Sequence, residues 1–353
     1  QLWQSSMVVM ADTTGLAMAT LAAFAVARYA HQRRLAWLLV ATLAITLALL
    51  SRWIYGLVAL PLAASLLTSR PPMRHVTLGT VLAVVVLTPV LGPSLLGLVR
   101  EPTAEAVFAG NLQVYTWSPL NAFLRDFDTP DGHLSYARPN GLYFALAPAN
   151  LALFGPLLAP AIALGLFQLN KKAAIPIVGW AAVVYVFHAG APWQNFRFML
   201  AYVPPLAILI ALGVHWTAHK IGTRLTAVWL ALGLSVMLFG GTRLLTEFVD
   251  RNEADVALVR WTEAQLPAQA RLLTFGPTLT FSHRGHVPTQ DLFDLPDQEL
   301  TRPTPTYLLV DVQNVEQQWQ NKRPAELYHR LRDGPGLHAL GTFGAYSLFS
   351  VGT

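Results

Sequence analysis

The chain has 353 residues, of which 54% are hydrophobic and only 12% are charged, with a formal net charge of +5. Soluble domains carry about 25% charged residues, so this composition predicts a protein that lies mostly in a lipid bilayer. The absence of cysteine excludes disulfides and thiolate metal sites. The basic residues form no stripe of the kind that binds nucleic acid, so no nucleic-acid partner is expected.

The sequence predicts a polytopic α-helical membrane protein. A spanning helix needs about 20 mainly apolar residues, and proline inside it is tolerated where neighbours satisfy the freed carbonyl. Eight segments meet this description: residues 13–30, 34–50, 52–69, 75–97, 141–168, 173–188, 196–215 and 225–242.

The basic residues predict the orientation of these segments. If the eight segments alternate, four basic clusters fall on one side, which the positive-inside rule assigns to the cytoplasm. The clusters are Arg28/Arg33/Arg34, Arg70/Arg74, Lys171/Lys172 and Lys220/Arg224. We therefore expect a multi-pass plasma-membrane protein whose other side carries Asp12, Arg52, the 98–140 loop, the 189–196 hairpin and everything after residue 243.

The composition changes near residue 243, where charged residues become frequent and apolar runs shorten. We predict a membrane domain over residues 1–242, including the outer loop 98–140, and a small extracytoplasmic α/β domain over 243–353. The patterns predict helices over 255–267 and 323–333 and strands over 271–275 and 306–312. A terminal strand pair within 338–351 is expected to turn near Gly344.

Two ionisable residues lie at the predicted outer membrane edge. Asp12 precedes an apolar run, so it could cap a helix N-terminus, and it could also belong to a site, since ionisable groups in membranes often do. Arg52 interrupts apolar sequence beside Trp53 and Tyr55. It could be an interfacial residue in an aromatic belt or an anion contact.

The hairpin WQNFR is the sharpest candidate for a binding site. It brings Trp193, Gln194, Asn195 and Arg197 together at the mouth of an apolar segment. Arginine binds phosphate in a bidentate manner, and the neighbouring aromatic rings could lie along an isoprenoid chain. An interfacial anchor is the alternative, but an anchor has no need of the two amides.

The long loop 98–140 carries a weaker candidate for a metal site. Asp126, Asp128 and His133 are close in sequence, and carboxylates near a histidine can bind a divalent cation. Ordinary turn chemistry explains the same residues, so a metal is only a possible cofactor and no other cofactor is expected. Arg138 in this loop is a further candidate for substrate binding.

The polar cluster at His283, Arg284 and His286 is typical of a solvated loop. The chain contains no nucleophile elbow, phosphate-binding loop or dinucleotide fingerprint. A cytosolic nucleotide is therefore not an expected substrate.

Three segments in this order, followed by the α/β region, resemble the GT-C superfamily of integral-membrane glycosyltransferases. They are SSMVVMADTTGLAMATLAAFAVARYA, LALLSRWIYGLVALPLAA and WQNFRFMLAYVPPLA. The nearest branches are the protein O-mannosyltransferase-like (glycosyltransferase family 39-like) and aminoarabinose-transferase-like enzymes. The resemblance implies a sugar donor on a polyprenyl-phosphate carrier, a membrane lipid, and transfer outside the cytoplasm to a lipid, protein or glycan acceptor.

The resemblance also implies roles for individual residues. Asp12 matches a supporting acid at the outer end of a later helix, Arg197 matches an arginine that contacts the carrier phosphate, and Arg52 matches an arginine that opens a middle helix. The family's catalytic base lies in an outer loop after its first spanning helix, and that loop has no counterpart here. We therefore expect the chain to match the C-terminal part of such an enzyme and to be inactive alone.

Two other functions remain open at the level of sequence. Proline-interrupted helices and arginines at the rim also fit a transporter or flippase of a lipid-linked or anionic substrate. A non-catalytic accessory protein that uses the outer domain to bind a partner is the other alternative.

Overall fold

The computed structural model describes residues 2–100, 116–151, 153–297, 304–334 and 336–352. The chain divides into two compact units. One, the helical unit, contains residues 7–125 and 136–243, and the other, the sheet unit, contains residues 1–6, 126–135 and 244–353. The hairpin 126–135 thus groups with the sheet unit, whereas the sequence placed the whole 98–140 loop in the membrane domain.

Nine α-helices begin within the described part of residues 1–243, and 3-10 segments join several of them. The helices are α1 (Leu2–Gln32), α2 (Leu35–Ser51), α3 (Ala59–Thr68), α4 (Met73–Arg100), α5 (Asn140–Ala145), α6 (Gly155–Gln168), α7 (Lys171–Gly190), α8 (Val203–Ile221) and α9 (Thr223–Gln265). The 3-10 segments are Trp53–Val58, Pro119–Phe123, Ala147–Ala149 and Phe196–Tyr202.

Four helical stretches in the described residues are long and apolar enough to cross a membrane. They are Met73–Pro93, Lys171–Gly190, Phe196–Ile221 and Thr223–Gln265. Shorter apolar stretches cover Leu35–Ser51, Trp53–Thr68 and Gly155–Gln168. These stretches are compatible with a membrane protein, and the eight-span topology stays a prediction.

Three predicted helices differ in continuity from the helices of the structure. The single helix predicted over 141–168 is wrong, because the chain breaks between α5 and α6, where Gly155 has a φ of 70° and Pro156 opens α6. Proline suits a helix start and disrupts a helix interior. The helices predicted over 225–242 and 255–267 are one helix, α9, because no proline interrupts the intervening polar residues.

Small residues allow α6 and α8 to pack backbone to backbone. A Cβ atom added at Gly165 would collide with the carbonyl oxygen of Leu209, and one added at Gly213 would collide with the carbonyl oxygen of Ala161. Glycine at such positions permits the close helix approach that is typical of membrane bundles. This contact fixes α8, whose first turn follows the segment that carries Arg197.

The sheet unit is an α/β structure with a five-stranded mixed sheet. Its strands are β3 (Arg271–Thr274), β4 (Thr289–Asp291), β5 (Thr306–Val310), β6 (Leu337–Phe343) and β7 (Tyr346–Val351), in the order β4-β3-β5-β7-β6. Strand β3 is parallel to β4 and β5, and β7 is antiparallel to β5 and β6. The predicted strands and the turn at Gly344 are confirmed.

The remaining elements of the sheet unit are short. Helices α10 (Thr278–Arg284), α11 (Val312–Gln317) and α12 (Arg323–Asp333) accompany the sheet, and α12 confirms the helix predicted over 323–333. Strands β1 (Asp126–Thr129) and β2 (Gly132–Ser135) form an antiparallel hairpin. The part of the 98–140 loop from 101 to 115 lies outside the described residues.

Candidate anion-binding site

Asp12 is a buried carboxylate inside α1. The helix begins at Leu2, so the interpretation of Asp12 as an N-cap is wrong. Its neighbours on both sides are already helical, and the side chain, which is only 6% exposed, is instead paired with arginine. A carboxylate buried in this way is stable as an ion only if cations and hydrogen bonds compensate it.

Arg52 supplies the first of these cations. It ends α2 with extended backbone, at φ −162° and ψ 116°, before the 3-10 segment Trp53–Val58 begins. Its Nη1 atom lies 2.8 Å from both carboxylate oxygens of Asp12 and donates a hydrogen bond to Oδ2. The break between α2 and the 3-10 segment is thus what brings the arginine to α1.

Arg197 supplies the second cation, from the 3-10 segment Phe196–Tyr202. Asn195 caps this segment, because its Oδ1 accepts a hydrogen bond from the Arg197 backbone N–H at 2.9 Å. The Nε atom of Arg197 lies 3.4 Å from Asp12 Oδ2, within ion-pair range. That N–H is not aimed at the carboxylate, and the buried Nε has no hydrogen-bond partner among the described residues.

The charges of this cluster do not cancel. Asp12 is the only acidic residue in the first 100 residues, and residues 132–246 contain none. Two guanidinium groups therefore share one carboxylate and leave one net positive charge beside a partly exposed surface, since the Arg197 side chain is 32% exposed. Ionisable groups within membrane proteins commonly mark functional sites, and this one has the charge that suits an anion.

An aromatic stack supports both arginines. The guanidinium carbons of Arg52 and Arg197 lie 5.8 and 5.5 Å from the centre of the Phe198 ring, which places both in cation–π range. The His188 ring stacks on Phe198 with the two ring centres 5.1 Å apart, and the Phe144 ring stacks on His188 with the centres 5.2 Å apart. The stack limits the orientations that the guanidinium groups can adopt.

His188 and Phe144 were missed by the sequence reasoning. His188 is 1% exposed, and its Nδ1 has no hydrogen-bond partner among the described residues. The available signal was a histidine at the end of an apolar helix directly before the hairpin. Phe144 offered no signal, because its position depends on the break that follows α5.

Buried amides hold the hairpin that precedes Arg197. Asn121 donates to the carbonyl oxygen of Gly190 at 2.7 Å, and Asn140 donates to the carbonyl oxygen of Ala191. The indole N–H of Trp180 also donates to the carbonyl oxygen of Ala201 at 2.9 Å. These contacts fix both ends of the Arg197 segment, and no motif in the sequence predicted the two asparagines.

The predicted residues therefore have different places. Asp12, Arg52 and Arg197 meet, whereas Asn195 acts through the local cap. Gln194 donates to the backbone carbonyl of Arg138 at 2.7 Å, which ties the hairpin to that segment without bringing the Arg138 guanidinium into the cluster. Trp193 is partly buried against the core of the helical unit.

The metal candidates form a surface hairpin. Asp128 and His133 are cross-strand partners whose Oδ1 and Nδ1 atoms lie 2.8 Å apart, and the Asp128 side chain is 91% exposed. Asp126 accepts a hydrogen bond from Ser135 at 2.5 Å. Within the described ranges no three histidine or acidic side chains are grouped to hold a metal.

The polar loop after α10 has a partner within the sheet unit. The backbone N–H of His286 donates to Glu263, and its Nδ1 lies 3.3 Å from Glu263 Oε2. His283 and Arg284 are exposed. His283 and Arg284 lie in the last turn of α10, so of the predicted solvated loop only His286 is in a loop.

Comparison with known proteins adds no family to these observations. No protein-family model matches the chain, and neither the curated proteins nor the solved structures include a match to it. The geometry of the arginine cluster is therefore what carries the functional argument.

Proposed function

We propose that the chain is part of a membrane glycosyltransferase that takes a sugar from a polyprenyl-phosphate carrier and passes it to a lipid, protein or glycan acceptor outside the cytoplasm. The observation that carries the proposal is the convergence of Arg52 and Arg197 on Asp12, with one uncompensated positive charge. The resemblance to GT-C enzymes, which rests on the segments that hold these three residues, supplies the reaction class.

The chemistry needs a fixed cation beside the donor phosphate. In the transfer, the acceptor oxygen or nitrogen attacks the anomeric carbon, the bond from that carbon to the phosphate oxygen breaks, and polyprenyl phosphate leaves with the electron pair. Negative charge grows on the phosphate as the bond breaks, and a guanidinium already in place stabilises it. The acceptor proton passes to a carboxylate base, which the resemblance locates in an outer loop of the family.

Each residue of the cluster has a part in this proposal. Arg197 is the phosphate contact, because its side chain is partly exposed and its contact with Asp12, at 3.4 Å, is longer than the contact that Arg52 makes. Arg52 is the second cation, held by two short contacts to the carboxylate. Asp12 is a positioning residue, since a carboxylate shared by two arginines orients them.

The transporter alternative shares the anion site but lacks a chemical step. Both functions bind a phosphate at Arg197, so binding alone does not separate them. A transporter moves the intact lipid-linked sugar across a vesicle membrane, whereas a transferase releases polyprenyl phosphate. The experiment therefore needs a binding arm and a product arm.

The test uses the natural protein that carries this chain, purified and reconstituted in vesicles. Binding of polyprenyl monophosphate is measured by thermal shift, and release of polyprenyl phosphate is measured with a panel of radiolabelled polyprenyl-phosphate sugars. Arg197→Ala should abolish both, and Arg197→Lys should retain weak binding because lysine keeps the charge and loses the fork. Arg224→Ala, which removes an exposed arginine in the first turn of α9, is the matched control.

The outcomes separate the candidates. Loss of binding and of release in Arg197→Ala, with both kept in Arg224→Ala, supports the proposal. Unchanged release in Arg197→Ala refutes the role of Arg197. Binding without release from any sugar, together with movement of the lipid-linked sugar across the vesicle membrane, favours the transporter.

A further inference from the structure

The helical unit also contains a cavity whose lining includes none of the three residues of the arginine cluster. The cavity, of about 840 Å³, opens between α1, α3, α7 and the start of α8. Pockets that bind small molecules and lipids have volumes of about 300–1,000 Å³. The cavity is therefore large enough to hold part of a lipid.

The wall of this cavity changes character along its length. One part is apolar and includes Phe24, Ile177 and Ile208, whereas the other part carries His31, Arg33 and Lys172. This combination of an apolar wall and a cationic end matches the chemistry of a lipid with an anionic head group. Basic pockets between membrane helices are known to bind such head groups.

The cations at this end have no carboxylate partner among the described residues of the helical unit. Asp12 is the only acidic side chain in the described part of the helical unit. The one hydrogen bond of the Arg33 guanidinium to a described residue goes to the backbone carbonyl of Arg70, at a long 3.4 Å. An anion from outside the chain would complete the site electrostatically.

Its position separates this cavity from the proposed reaction site. Helix α1 rises ~1.5 Å per residue, so its last residue, Gln32, which precedes Arg33, lies about 30 Å from Asp12 along the helix axis, close to the thickness of the hydrocarbon core. A carrier whose phosphate is bound at Arg197 cannot place the same phosphate at Arg33. A structural phospholipid whose head group faces the opposite membrane surface fits both constraints.

We propose that this cavity binds an anionic glycerophospholipid, with the phosphate between Arg33 and Lys172 and an acyl chain along the apolar wall. The inference does not depend on the glycosyltransferase proposal, because it concerns different residues at the other end of α1. It assigns a ligand class to basic residues that the sequence explained only as orientation signals.

The test is lipid binding to the purified, delipidated protein, followed by native mass spectrometry. The probes are phosphatidylglycerol, phosphatidylcholine with the same acyl chains, and polyprenyl monophosphate. We expect phosphatidylglycerol to bind more tightly than phosphatidylcholine. The variant Arg33→Gln/Lys172→Gln should lower the affinity for phosphatidylglycerol by about 30-fold, because it removes two basic residues that lie beside the anionic head group.

The matched control is Arg34→Gln/Lys171→Gln. It removes the same charge from the neighbouring residues, which do not line the cavity. We expect it to bind phosphatidylglycerol as the unmodified protein does. Ala27→Trp fills the cavity from an exposed position on α1 and leaves every charge in place, and it should also abolish the binding of phosphatidylglycerol.

Several results would overturn the proposal. Equal weakening in both double variants would mean that general charge attraction, and not the cavity, holds the lipid. Equal affinities for phosphatidylcholine and phosphatidylglycerol would show that the cations do not select the head group. Preferred binding of polyprenyl monophosphate that Ala27→Trp blocks would replace the phospholipid with the carrier. If a double variant fails to fold, the comparison of the two phospholipids on the unmodified protein still decides the outcome.

Discussion

Replacement of Asp12 by asparagine tests the central electrostatic claim. The change keeps the size of the side chain and removes the negative charge that two guanidinium groups share at 2.8 and 3.4 Å. Removal of one partner from a fully buried ion pair costs about 3–5 kcal/mol, because it leaves the other charge uncompensated. The arginines here are 20% and 32% exposed, so water recovers part of that cost. We therefore expect a loss of about 2–3 kcal/mol.

The same variant also makes a prediction about ligand binding. With the carboxylate gone, the described part of the helical unit offers the two arginines no anion, and a bound phosphate takes its place. Polyprenyl monophosphate should therefore raise the melting temperature of Asp12→Asn by more than it raises that of the unmodified protein. Stabilisation by a ligand grows with its concentration relative to Kd, so a concentration series gives both affinities.

The assay is thermal unfolding in detergent, with and without the lipid phosphate. Asp12→Glu is the conservative control, and Asp12→Asn/Arg197→Gln completes a double-mutant cycle, in which contacting charges show coupling of about 0.5–3 kcal/mol. The double variant should be more stable than Asp12→Asn alone, because it removes one of the two repelling cations. If Asp12→Asn is as stable as the unmodified protein, the carboxylate does not hold the arginines and the reasoning fails.

Three further predictions follow from packing and titration. Gly165→Val should lower stability by about 1–3 kcal/mol in thermal unfolding, because its Cβ meets the backbone of α8, whereas Gly241→Ala, with open space around it, should be neutral. Gly15→Ala should lower both the stability and the affinity for polyprenyl phosphate, since the added Cβ would lie 2.5 Å from the ring of Tyr55. Unchanged stability and affinity would mean that this ring moves freely. Hydrogen bonding to Arg330 lowers the pKa of Asp297, so this carboxylate stabilises the sheet unit above its unfolded pKa of about 3.9, and that contribution is lost as the pH falls through its lower folded value. Urea unfolding between pH 7 and pH 2 should therefore show a weaker acid dependence in Asp297→Asn, and identical pH profiles would contradict the assignment.

Local patterns predicted the sheet unit well. Alternation and short apolar runs gave strands β3 and β5, and a glycine with φ 57° at position 344 turns the terminal strand pair as expected. The long apolar segments predicted membrane helices but not their continuity. Whether the chain breaks at Gly155 or continues through the polar residues after 243 depends on proline and glycine positions that hydropathy averages conceal.

The sequence predicted the charged residues of the site but not the residues that hold them in place. Arg197 was recognisable because the hairpin places an arginine beside two amides, whereas Arg52, which interrupts apolar sequence, fitted an interfacial residue as well as an anion contact. Asn121, Asn140 and His188 were not recognisable, because the sequence does not show whether an asparagine or histidine is buried. Their contacts are with carbonyl groups and a ring that the fold brings to them.

The position of Asp12 shows how far a single residue can determine such a site. As an N-cap, Asp12 would bond only to backbone N–H groups of its own helix. Inside α1 its carboxylate instead pairs with Arg52 and Arg197, which lie 40 and 185 positions further along the chain. Because Asp12 is the only acidic residue in the described part of the helical unit, the arginines have no competing carboxylate there. Their pairing is therefore specified by the scarcity of carboxylates as much as by the local fold. An additional acid introduced near the cluster, for example Thr13→Asp, should compete for Arg52 or Arg197 and weaken phosphate binding in the thermal-shift assay, and undiminished binding would show that geometry alone selects the pair.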